Sequence, residues 1–110
     1  MNEEYIKTFM IDPSVPMETK SKDRIKAVFR GEDDEHFAAR YSKVFHFQTI
    51  NETKREKGES DHTNDVFFWR SEGARILMVS CSCIARLRCK HIVKAYDVYK
   101  TAIEAGFIEE

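Results

Sequence analysis

No stretch of the chain approaches the roughly 20 consecutive apolar residues of a membrane-spanning helix. The amino terminus, Met1-Asn2-Glu3-Glu4, is acidic where a secretory signal would be basic and then apolar. Cysteine is scarce: there are three, an odd number crowded between Cys81 and Cys89, which leaves one thiol over and ties no distant parts of the chain together. These features predict an intracellular protein, cytoplasmic or nucleoid/nuclear, neither secreted nor membrane-bound. The sequence also lacks a glycine-rich loop to cradle phosphate, paired carboxylates on a helix face, and a nucleophile beside a base, so no catalytic activity is expected. A large excess of one charge is missing too. With a net charge of -1 and a pI near 6.4, the whole chain is not a generic polyanion binder.

At 110 residues, 42% of them apolar and 12% aromatic, the chain can form one compact domain with a modest core. Its charge is unevenly spread. Arg75, Arg86, Arg88, Lys90, Lys94 and Lys100 face only Asp97 between positions 75 and 100, a local net of +5, and the remainder carries -6. All three cysteines lie in this basic part.

Residues 1–17 form an amino-terminal arm, broken by Pro13 and Pro16, that reads as an edge strand, a segment docking by its aromatics, or a partly ordered terminus. Residues 18–64 make a helix and strand segment. Ile25, Val28 and Phe29 recur at helical spacing between Glu18 and Arg30, with Thr19 or Ser21 to cap the start and Gly31 to end it, which predicts a helix. Phe37, Tyr41 and Val44 fit a second, short helix or a turn leading into a strand. From Lys43 to Ile50 the alternation of Phe45 and Phe47 with His46 and Gln48 predicts a strand. Positions 51–64 have no aliphatic or aromatic residue and predict an exposed loop.

Residues 65–110 begin with two nearly continuous apolar strands, Asp65–Arg70 and Ala74–Ser80, joined by Ser71-Glu72-Gly73 as a hairpin. Their composition predicts cover on both faces, with Trp69 in the core. The second strand runs into Cys81. In an extended segment Cys81 and Cys83 project to one side, and Cys89 and His91 fall at the start of a final helix whose apolar stripe comprises Ile92, Val93, Ala95, Tyr96, Tyr99, Ala102 and Ile103. Three thiolates and an imidazole in two close pairs form a ligand set for one structural Zn²⁺. Two other readings exist: small buried cysteines, or a Cys81/Cys83 dithiol, although a disulfide between residues two apart is strained and oxidising. With four protein ligands a zinc site is closed and structural, leaving no position for a catalytic water. His36, His46 and His62 read as surface or sheet residues.

The run Val79-Ser80-Cys81-Ser82-Cys83-Ile84-Ala85-Arg86-Leu87-Arg88-Cys89-Lys90-His91-Ile92-Val93-Lys94-Ala95-Tyr96 resembles the SWIM zinc-binding domain, whose signature is Cys-x-Cys, a gap, then Cys-x-His. The resemblance implies that Cys81, Cys83, Cys89 and His91 bind zinc, between a preceding strand and a helix through the histidine. It departs from the family in a short five-residue gap, and in Ile84 and Ala85 where a proline and an aromatic are usual. SWIM domains occur in Mutator-type transposases, chromatin-remodelling ATPases, plant transcription regulators and partners of recombinase paralogues. The expected partner is therefore DNA, met by Arg75, Arg86, Arg88, Lys90 and Lys94, or alternatively a protein such as a recombination factor. The expected fold is α+β: a small antiparallel sheet of about three to four strands with an N-terminal helix, a C-terminal helix, and a strand–zinc knot–helix in the C-terminal half.

Overall fold

In the computed structural model, which describes residues 8–12, 17–60, 62–71, 76–83 and 89–108, the chain runs through β1 (Thr8–Ile11), β2 (Ile25–Glu32), a 3₁₀ turn (Phe37–Arg40), β3 (Phe45–Asn51), α1 (Glu52–Glu56), β4 (Thr63–Arg70), β5 (Leu77–Cys81) and α2 (Lys90–Glu104). The strands form one antiparallel sheet in the order β1-β5-β4-β3-β2. The architecture is α+β, as the pattern predicts. The sheet has five strands, more than the three to four expected.

The extra strands come from the amino-terminal third. Residues 17–24 form no regular element, and the helix expected over 18–30 is instead β2. Ile25, Val28 and Phe29 satisfy helical spacing, but Ala27 and Phe29 also share one face of a strand, and both pack on the main core. Pairing decides the matter, because a full ladder to β3 runs from Ile25↔Asn51 to Glu32↔Phe45. The ladder slips between Phe29 and Gly31, a bulge that Gly31 accommodates at φ +106°. Within the amino-terminal arm, Thr8–Ile11 form β1, an edge strand on β5, while residues 1–7 and 13–16 lie outside the described residues.

The loop expected over 51–64 contains α1, and β4 begins within it at Thr63. Asn51 is buried at this junction. Its side-chain Oδ1 accepts the Lys54 amide at 3.0 Å, capping α1, and its Nδ2 donates to Asp23 at 2.8 Å. The stretch near Phe37 is a 3₁₀ turn capped by His36, whose Nδ1 accepts the Ala38 amide at 3.1 Å. Burial against Phe67 and Trp69 holds that imidazole below its usual pKa, opposed by the nearby Asp33 carboxylate.

One face of the sheet carries Phe45, Phe47, Val66, Phe68 and Val79, and α2 lays Ile92, Ala95, Tyr99 and Ala102 against it. Tyr99 stacks on Phe68 with ring centroids 4.8 Å apart, and Phe47 meets Phe68 edge-on at 5.5 Å. The helix ends in a Schellman motif: the Phe107 amide donates to Ala102 O at 2.9 Å and the Gly106 amide to Ile103 O at 3.1 Å, with Gly106 at φ +83°. Ile108 then folds back into the core while Phe107 stays exposed.

The opposite face holds a smaller cluster of Trp69, Val44 and Ala38, with Phe67 and Met78 beside it. Trp69 is core, as expected. Cover on both faces by helices is not found among the described residues. Among the described residues only the 3₁₀ turn lies over this face, and Met10, Phe37 and Tyr41 are exposed.

Truncating Phe68→Ala removes a fully buried ring at the centre of the sheet–helix contact, and is expected to cost about 3–5 kcal/mol. Phe107→Ser, at an exposed position, should change stability by less than about 0.5 kcal/mol. Urea unfolding of both variants measures the contrast.

Candidate metal centre

β5 ends at Cys81, which lies opposite Val66 on β4 and is buried. The chain leaves the ladder one residue later, where the Ser82 amide donates to Asp65 O at 3.0 Å, and Cys83 follows half-buried. Cys89 is the residue before the first turn of α2, with extended backbone (φ -96°, ψ 168°) and no side-chain cap. Its sulfur is therefore not engaged in capping and can turn inward beside the positive end of the helix. His91, the second helical residue, is only 6% exposed.

These four side chains bring one donor atom each to within 4.8 Å of one another. A tetrahedral centre with metal–sulfur bonds of about 2.3 Å has ligand edges of about 3.8 Å, so a small contraction closes the shell on an ion. The four residues singled out by their spacing are thus together, three of them buried, and could hold a metal ion. His36, His46 and His62 lie elsewhere. His36 caps the 3₁₀ turn, His46 pairs with Asp65 at 2.8 Å and stacks on Phe67, and His62 Nδ1 sits 3.0 Å from Glu59 O.

Two observations test the fit of a cation. The first is electrostatic. The neighbouring Cys83 and Cys89 sulfurs, with burial, push the Cys81 thiol far above its usual value. Burial would lower the His91 imidazole, but the same two sulfurs raise it to about 9. So many groups sharing protons at such close range is what a divalent cation relieves, by displacing the protons and compensating the thiolates. The second is an orphaned atom: His91 Nδ1 is buried with no hydrogen-bond partner. Its other nitrogen, Nε2, lies 3.3 Å from the side-chain amide of Asn64 on β4, which is joined in turn to the Ser82 hydroxyl at 3.0 Å. The donor set and the orphaned nitrogen both fit a metal.

The residues expected to meet nucleic acid are less uniform. Arg75, Arg86 and Arg88 lie outside the described residues. Lys90 turns its ammonium onto Asp23 at 2.5 Å, so it braces the start of α2 instead of standing at the surface. Lys94 is exposed on α2. It borders a groove of about 630 Å³ between residues 17–25 and the helix, lined also by Arg24, Lys90 and Lys100, by Asp23 and Asp97, and by apolar Ile25 and Val93. Lys100 sits over the Tyr96 ring at 5.0 Å and Arg24 pairs with Glu56. Asp23, Asn64 and Ser82 carry no local signal in the sequence. They reach the centre through strand pairing and through a contact between segments far apart in the chain.

No family model, characterised protein or solved structure matches this chain. No helix among the described residues is long and apolar enough to cross a membrane.

Asp23 receives both Lys90 and Asn51, and these hydrogen bonds hold its carboxyl down at about 2. A carboxyl depressed in the folded state stabilises the fold above its ordinary value near 4, and the effect is lost as pH falls toward 2. Asp23→Asn should therefore lower the thermal midpoint at pH 7, and the gap to the parent should close on acidification. A series of melts between pH 7 and pH 2 measures it.

Proposed function

We propose that the protein is a SWIM-type module built on one structural Zn²⁺, held by Cys81, Cys83, Cys89 and His91, and that it binds DNA through a basic surface beside that centre. The observation that carries the metal reading is the convergence of the four donors within 4.8 Å. Three sulfurs and one nitrogen favour zinc over harder cations, and four protein ligands give a closed, non-catalytic site. When bound, the ion supplies a cross-link between β5 and α2 and no chemistry of its own. The likeness to SWIM domains rests on the Cys-x-Cys and Cys-x-His spacing and on the strand and helix that flank it.

The DNA reading rests on the charge of the metal half and on the groove that Lys94 and Lys100 border. Lys90 is assigned to Asp23, so the phosphate contacts fall to Lys94 and Lys100, with Arg75, Arg86 and Arg88 as the remaining cations of that half. A second reading, a protein-interaction adaptor, is supported by exposed Met10, Phe37 and Tyr41 on the sheet face away from α2.

Metal analysis of the purified chain should give one zinc per molecule, and removal with a chelator should unfold the C-terminal half, since such sites contribute on the order of 10 kcal/mol to folding. Cys89→Ser should reproduce the chelator's effect, read by circular dichroism. For the partner, Lys94→Glu combined with Lys100→Glu should weaken duplex binding and reduce the slope of log K against log salt by about two, one for each lost phosphate contact. No duplex binding at about 50 mM salt, or binding that ignores these changes, would favour the adaptor.

A further inference from the structure

Resting on the metal reading above, the hydrogen-bond chain behind His91 specifies how that residue would ligate. The ring stands between the sulfurs and β4, with Nε2 at 3.3 Å from the Asn64 side chain and Nδ1 buried without a partner. Asn64 is itself fixed. It pairs with Thr49 across the sheet, its carbonyl accepts the Thr49 hydroxyl at 3.2 Å, and its side chain meets Ser82 Oγ at 3.0 Å. Ser82 Oγ also accepts the Asp65 amide at 3.0 Å.

A neutral imidazole has one lone pair and one N–H, so a metal that takes one nitrogen leaves the other as a donor needing an acceptor. With Nε2 against Asn64 and Nδ1 unpartnered, we propose that Nδ1 is the ligand atom and that Asn64 is the positioning residue, its Oδ1 accepting from Nε2–H. This requires the Asn64 amide to present its oxygen to the ring, a half-turn that exchanges Oδ1 and Nδ2 in nearly the same volume. Nδ2 then donates to Ser82 Oγ, which has two lone pairs and uses the other for the Asp65 amide. The Ser82 hydroxyl hydrogen turns to solvent, to which that residue is exposed. In this arrangement each of these donors has an acceptor, and the ring cannot rotate without breaking the chain. A ligand held this way keeps its lone pair on the ion and loses little freedom on binding.

Cadmium-113 substituted into the full-length, nitrogen-15-labelled chain reads the ligand atom directly. The expected result is a metal–nitrogen coupling to Nδ1 of His91, with Nε2 protonated and its proton close to the Asn64 side chain. Coupling to Nε2 overturns the assignment. Metal uptake is measured first: a chain that takes up no metal overturns the proposed function and this assignment together, whereas stoichiometric uptake with Nε2 ligation overturns only the latter. Asn64→Leu, similar in volume but without an acceptor, should weaken zinc affinity about 10- to 100-fold in chelator competition, and Asn64→Asp, which keeps the acceptor, should recover most of it. Equal affinity for the leucine variant and the parent would remove the positioning role.

Discussion

Because Cys81 closes β5 and Cys89 opens α2, the convergence of the four donors is tied to where the last helix begins and to the direction in which it leaves the sheet. Direction matters more than position for a rigid rod. A helix of 15 residues is about 22 Å long, and a tilt of about 10° at its start moves its far end by about 4 Å. Such a shift would lift Tyr99 off Phe68 and Ile108 out of its pocket, since both are packed closely against the sheet. The aromatic core and the cysteine cluster are therefore two ends of one constraint.

The start of the helix is braced a second time from outside. Lys90 lies between the two donor residues Cys89 and His91, and its link to Asp23 ties that segment to the residues that lead into β2. Asp23 also holds Asn51, which caps α1 at the end of β3. One carboxylate thus joins three segments next to the donor cluster. Charge that looks from the sequence like a free basic surface is, at this position, part of the scaffold.

What could be read in advance depended on how local the cause was. The cysteine–histidine spacing, the alternation in β3, the continuous apolar runs of β4 and β5 and the stripe along α2 are all set by neighbours a few residues apart, and the structure carries each of them. β2 was legible only as a helix, since Ile25, Val28 and Phe29 fit both periods and the choice fell to a ladder with β3. The short helix α1 was hidden in a polar run because its stability comes from a buried cap, Asn51, and not from an apolar face. Asn64 and Asp23 escaped for the same reason. Each reaches the donor cluster through pairing or packing between distant segments, which a single sequence does not display.

The position of β1 carries a consequence for the order in which the structure is made. It lies at the edge of the sheet against β5, so Thr8 pairs with Ser80, about two thirds of the chain's length away. Closing so long a loop is slow compared with forming the ladders between β2, β3, β4 and β5, whose successive strands are never more than a dozen residues apart in the chain. During synthesis β1 leaves the ribosome first yet has no strand to join until nearly all the others have emerged. Loop length thus favours β1 as the last strand to dock, and Ile11 is the residue it brings to the core.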